Sequence, residues 1–268
     1  MMRKIGGDLM KAVIVQSVKE AKKINKYIDA YILPIKSFSI NYPNTFTLDD
    51  IKEVQKLNKE VFVMINKNIH NNELADLEKL LLEIEKLKVK GIFFYDIALL
   101  TLKNKYKLKT DLVWSAEHLT TNWETINFWY DKGVKYAYLS SELTKKEIDE
   151  ISKHAKAELF VNVFGYLPMF TSRRHLVNNY LNYFNIKETK KNKVISKEGK
   201  KYPITDKKEG TTVYSNYILN ATKEKFDVKY LVFNSYLIDD IEKVFINNEY
   251  PNETGFLYEE TIYKVKRK

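Results

Sequence analysis

The chain has 268 residues, 45 Lys and Arg against 35 Asp and Glu, and no cysteine. The length suits one α/β barrel of roughly 250 residues, and without thiols this chain alone can hold no disulfide, thiolate nucleophile, Cys-ligated zinc or iron–sulfur cluster. The net charge of +10, nearly all from lysine, fits either well-solvated faces or attraction to a polyanion such as RNA.

Residues 1–9 hold charges and two glycines and no apolar core of a signal peptide, so they read as an N-terminal extension and the cytoplasm is the expected location. From Met10 onward, short β-branched or aromatic runs alternate with amphipathic stretches. The runs are residues 12–16, 30–34, 61–65, 91–95, 112–115, 136–139, 159–163 and 230–233. Continuous apolar strands of this kind are buried on both faces, as in parallel sheets.

Between them, Leu48, Ile51, Val54 and Leu57 share one helical face, as do Leu74, Leu77, Leu81 and Ile84. Thr121 with Glu124, and Thr144 with Glu147, have capping-box spacing. A seventh helix is expected to carry Leu176, Val177, Tyr180, Leu181 and Phe184, and an eighth Leu237, Ile241, Val244 and Phe245. Eight strand–helix units predict a closed (β/α)8 barrel over residues 10–268. One interval breaks the rhythm. Residues 185–227, lysine-dense from 187 to 208, hold extended candidates at 193–196, 201–204 and 211–215. They read either as a hairpin or flap inserted between helix seven and strand eight, or as a plain surface loop. A basic tail, residues 264–268, closes the chain. No apolar run reaches the roughly 18 residues of a membrane span.

Sites in such barrels lie at the C-terminal strand ends. There the sequence places Asn66 and His70 after the third run, Asp96 after the fourth, Ser115, Glu117 and His118 after the fifth, and Ser141 and Glu142 after the sixth. Asp96, Glu117 and Glu142 are the candidates for acid–base chemistry. Each residue also has a structural alternative. Asp96 would cap the next helix, Glu142 would complement a helix dipole, and Asn66 and Ser115 would satisfy loop backbone. Arg173 and Arg174 stand where a helix should start, against its dipole, and suit a carboxylate or phosphate ligand. With only four histidines, a His-rich metal site is not expected, and no metal ligand set is assigned.

The stretch from Glu158 to Tyr180, with Phe164-Gly165, Ser172-Arg173-Arg174 and Asn178-Asn179-Tyr180, resembles the signature of peptidase family U32. In agreeing order, Val61 to Asn66 with His70-Asn71-Asn72-Glu73-Leu74, Tyr95-Asp96, Ser115 through Thr120-Thr121-Asn122, and Glu142-Leu143 resemble other segments of that family. The fit is to the shorter member of paired U32 proteins, on Trp114-Ser115, Asn127-Phe128-Trp129 and Ser172-Arg173-Arg174.

The resemblance implies a barrel acting in tRNA wobble-uridine hydroxylation (5-hydroxyuridine formation), with prephenate as a family donor. It also implies a cysteine-bearing U32 paralogue as partner and tRNA as ligand. Asn66, His70, Ser115, Asn122, Ser172, Arg173 and Arg174 are the anion- or substrate-binding candidates. Family labels also include collagenase-like peptidase, and a binding or scaffold barrel without catalysis is a third reading. The departures are specific. Phe164 stands where the signature has His, and Pro168 and His175 stand where it has Cys, so this member would be partner-dependent or non-catalytic.

Overall fold

In the computed structural model, residues 8–187 and 193–259 are described. Most of the N-terminal extension and the whole basic tail lie outside them. In chain order the elements are β1 (Met10–Ile14), α1 (Val18–Ile24), β2 (Ala30–Pro34), α2 (Leu48–Gln55), β3 (Glu60–Ile65), α3 (Leu74–Leu87), β4 (Gly91–Phe94), α4 (Ala98–Tyr106), β5 (Asp111–Trp114), α5 (Trp123–Asp131), β6 (Tyr136–Tyr138), α6 (Lys145–His154) and β7 (Glu158–Gly165). There follow β8 (Pro168–Ser172), α7 (Leu176–Tyr183), β9 (Lys193–Lys197), β10 (Lys200–Lys207), β11 (Gly210–Tyr214), β12 (Leu219–Asn220), β13 (Tyr230–Asn234) and α8 (Glu242–Asn247).

Strands β1 to β7 pair in sequence, all parallel, and β13 pairs with both β7 and β1, which closes an eight-stranded barrel. Alternation of side chains along each strand divides the core in two. Inward residues include Ile14, Ile32, Phe62, Met64, Phe93, Phe160 and Tyr230, while the outward set (Val13, Leu33, Val63, Phe94 and their like) meets the helices. The barrel axis is filled with rings. Phe62 makes edge contacts with Phe93, Tyr136, Phe160 and Tyr230, and Phe160 stacks on Tyr230 at 4.1 Å. The Tyr230 hydroxyl donates to Glu60 at 2.7 Å, and Lys90 pairs with the same carboxylate at 2.8 Å, so the polar end of this stack is satisfied.

The capping box at Thr144 and Glu147 forms, with Thr144 N–H to Glu147 at 2.8 Å and Glu147 N–H to Thr144 Oγ1 at 3.3 Å. The one expected at Thr121 and Glu124 does not. Asn122 is the cap, accepting from Thr125 N–H at 2.8 Å, because the chain turns helical one residue later.

Outside the barrel lies a second, four-stranded antiparallel sheet in the order β8-β11-β10-β9. Three of its strands cover the extended candidates of the lysine-rich interval. The sheet starts earlier than residue 185, however, since β8 belongs to it. The seventh helix also forms where expected, but it packs on β10 and β11 of this sheet. Helical spacing shows that α7 has an apolar face and not which sheet the face meets. The departure of the chain from β7 turns on Gly165, at φ +109°. A Cβ there would fall 2.2 Å from the Asn234 carbonyl oxygen, a position only glycine can occupy.

Candidate functional site at the barrel mouth

The C-terminal strand ends enclose two adjoining cavities, of about 100 Å³ and 280 Å³, that share Asn66, Glu117 and His118 as walls. The first is floored by Met64, Tyr138 and Asn162 and rimmed by Ser115, Ser141, Glu142 and Tyr217. The second runs from Asn66 and Lys67 out to Thr171 and Arg173 on the small sheet.

Buried loop contacts build these walls. Asn66, just past β3, accepts the Ile40 N–H at 3.1 Å. Ser39 accepts the Ile35 N–H at 3.0 Å and donates to the Met64 carbonyl at 2.5 Å. This tethers the loop after β2 over the mouth and presents Asn41 and Tyr42. Asn41 sits at φ +66° and Glu117 at φ +48°. Asparagine tolerates that left-handed region, whereas glutamate adopts it at a conformational cost. The two side chains meet, with Asn41 Nδ2 donating to Glu117. Asn41 also joins the small sheet to the mouth. Its side-chain oxygen accepts from Thr171 on β8 at 2.5 Å, and its carbonyl accepts from the Tyr214 hydroxyl on β11 at 2.5 Å.

Opposite, His118 and Glu142 form an exposed pair at 3.1 Å. Deeper, Tyr138 donates to Asn162 at 2.5 Å, and Asn162 donates to Ser141 at 2.8 Å. Burial pushes the phenols of Tyr42 and Tyr138 up, so both remain protonated hydroxyls that donate or accept hydrogen bonds. Burial also pushes Tyr217 up, to about 12.

The expected site residues fall into two groups. Asn66, Ser115, Glu117 and Glu142 line the mouth together, and His118 joins them. The others have structural partners. Asp96 accepts the Ile69 N–H and the Ala98 N–H, each at 2.9 Å, so both carboxylate oxygens serve the backbone. Asn122 caps α5. His70 is exposed, and its N–H donates to Glu73 at 3.0 Å. Ser172 accepts the Arg174 N–H at 3.2 Å.

Arg173 reaches across to the barrel, donating to the Asn68 carbonyl at 2.9 Å and pairing with Glu73 at 3.3 Å. Glu73 in turn pairs with buried Lys67 at 2.6 Å. Burial alone would raise the Glu73 carboxyl. The His70 N–H, Lys67 and Arg173 outweigh it and hold the group at about 2. The Arg174 side chain is exposed and lines neither cavity. Of the two arginines, Arg173 therefore fastens the small sheet and Arg174 faces solvent.

Sequence reasoning passed over Asn41, Tyr42, Tyr138, Asn162, Lys67, Glu73 and Tyr217. Tyr138 and Asn162 sit inside apolar runs and read as core. Only a polar residue interrupting an inward-facing strand position, as Asn162 does, could have marked them.

The sequence profile of Peptidase family U32 matches residues 16–244. The chain belongs to peptidase family U32. It is 29% identical over 248 residues to tRNA hydroxylation protein P2 of Bacillus subtilis, spanning 87% of this chain and 78% of that protein. It is 30% identical over 153 residues to tRNA hydroxylation protein P of Haemophilus influenzae, where the match covers 57% of this chain and only 33% of the longer relative. A solved U32 peptidase superposes with a TM-score of 0.57 at 12% identity, over 87% of this chain and 95% of that one, so the two share the fold.

An iron–sulfur cluster does not fit this U32 chain. No cysteine exists to ligate it. Of the two signature-cysteine positions, Pro168 walls the mouth, and His175 pairs with the buried Asp206 carboxylate at 2.8 Å. Among the described residues no group of three or more His, Asp or Glu is placed to hold a metal, and no helix is long and apolar enough to cross a membrane.

Proposed function

We propose that this U32 protein acts in tRNA wobble-uridine hydroxylation in the cytoplasm, binding the RNA and presenting one uridine at the barrel mouth. The observation that carries the reading is the similarity to tRNA hydroxylation protein P2 along 87% of the chain, joined to a mouth whose largely apolar walls carry amide, hydroxyl, imidazole and carboxylate groups.

A base must leave its stack to reach such a cavity, and a flipped base is read through hydrogen bonds to its edge. Uracil offers one N–H donor between two carbonyl acceptors. Asn66, Ser115, Ser141 and Asn162 supply both complements. The Glu142–His118 pair is placed to hold or move a proton at the rim. Glu117, fixed by Asn41, gives a second carboxylate. Exposed Arg174, next to Arg173 in the chain, suits an RNA phosphate or the carboxylate of a donor such as prephenate. Redox chemistry that needs a cluster would come from a cysteine-bearing U32 paralogue. A peptidase reading loses one of its three candidate carboxylates, since both oxygens of Asp96 are committed to the backbone.

The test is deletion of the gene in its host followed by mass spectrometry of tRNA nucleosides. Loss of 5-hydroxyuridine derivatives, restored by the wild-type gene and not by His118→Ala or Arg174→Ala, is the expected result. An unchanged nucleoside profile in a host without a second copy rejects the reading.

A further inference from the structure

The small sheet and α7 carry a charge and ring pattern that the barrel mouth does not use. The described residues of this unit, 168–187 and 193–214, contain nine Lys and Arg against three Asp and Glu, most of the chain's excess of +10. On the same unit, Tyr180, Tyr183 and Phe184 are 57%, 80% and 55% exposed. They are also gathered. Tyr180 and Phe184 lie 4.8 Å apart by ring centroid, and Tyr183 and Phe184 4.9 Å. Beside them lies a cleft of about 880 Å³ between α7 and the sheet it packs on. Its walls include Phe170, Tyr180, Ile195 and the lysines Lys187 and Lys201.

Exposed rings in tight clusters lose water-accessible apolar area only when something covers them. A second copy of this chain is a poor occupant, because it would bring a like-charged unit against this one. A polyanion with flat apolar faces meets both features. Phosphates find lysine, and bases find rings on which to stack.

We infer that this unit is a single-stranded RNA platform, on which Tyr180, Tyr183 and Phe184 stack unpaired bases while the surrounding lysines hold the backbone. The inference rests on the RNA reading above and adds the place where the strand is gripped. The unit is also coupled to the mouth. Asn41 bonds both Thr171 and Glu117, Tyr214 bonds the Asn41 carbonyl, and Arg173 bonds Glu73. A strand stacked on α7 is thereby held at a set distance from the cavity that would receive its neighbouring nucleotide.

The experiment measures binding of the full chain to a fluorescent anticodon stem-loop RNA by anisotropy, across a salt series. The variants are Y183A, the triple Y180A/Y183A/F184A and the conservative Y180F/Y183F. Because the three rings are more than half exposed, the variants should keep the wild-type melting temperature. The expected result is a roughly five- to hundredfold loss of affinity per stacking ring removed. Y180F/Y183F should retain wild-type affinity, and the triple variant should keep the salt slope, since lysines set it. If the triple variant binds the RNA as wild type does, the platform is refuted while the RNA reading stands, and the rings are left to a protein partner. If the wild-type chain itself fails to bind at low salt, both fall together.

Discussion

Phe160 and Tyr230 stack at 4.1 Å in the barrel axis, where neither is more than 1% exposed. Tyr183 and Phe184 make a contact of similar closeness on the small unit and face solvent. The same residue types thus serve two ends. Inside the barrel, rings replace the bulky aliphatic layers that commonly fill this fold, and they contribute through buried area and edge contacts. On the small unit Tyr180, Tyr183 and Phe184 are each more than half exposed and bury far less area. The difference lies in coverage. The barrel closes on itself and is wrapped by helices, whereas one eight-residue helix covers a four-stranded sheet.

Substitutions in the two regions should separate these roles. The largest effect is expected from Phe160→Ala, which leaves a cavity beside Phe62, Phe93 and Tyr230. Urea unfolding should show a loss of about 3–5 kcal/mol, and a loss below about 1 kcal/mol would mean the barrel axis is loosely packed. Next, Gly165→Ala sets a Cβ 2.2 Å from the Asn234 oxygen at a left-handed φ. It should lower stability by about 3 kcal/mol in the same assay.

At the junction of the two regions, Glu73→Gln should cost about 1–2 kcal/mol at neutral pH, with discount for its partial exposure. The Glu73 carboxyl is held at about 2 against an ordinary value of 4.5. Its contribution is therefore full above pH 4.5 and is lost as the pH falls toward 2. The gap between wild type and variant should close over that window, and a gap unchanged at pH 3 would remove Glu73 as the fastening. Smallest of all, Tyr183→Ala should leave stability within about 0.5 kcal/mol of wild type, the opposite of Phe160→Ala.

The barrel was legible because two-sided burial writes each strand as an unbroken apolar run. The run at 61–65 is β3 but for Glu60, and the run at 230–233 is β13 but for Asn234. The mouth was half legible. Ser115, Glu117 and Glu142 follow directly from the rule of strand ends, and Asn66 likewise. Residues that build the site through loop contacts were not. Asn41 lies in the loop before α2 and acts only because its left-handed backbone turns the side chain toward Glu117. Arg173 and Arg174 look identical in sequence, yet Glu73, a hundred positions away, captures only the first. Pro168–Ser172 escaped notice as a strand because its partner, β11, lies about forty residues downstream, and pairing at that range leaves no local pattern.

The most direct test of the account is photo-crosslinking of the full chain to tRNA carrying 4-thiouridine at the wobble position, with the adduct mapped by mass spectrometry. The account predicts adducts on the mouth peptides, residues 115–118, 138–142 or 166–169. Adducts confined to the opposite end of the barrel, around residues 88–90, would contradict it.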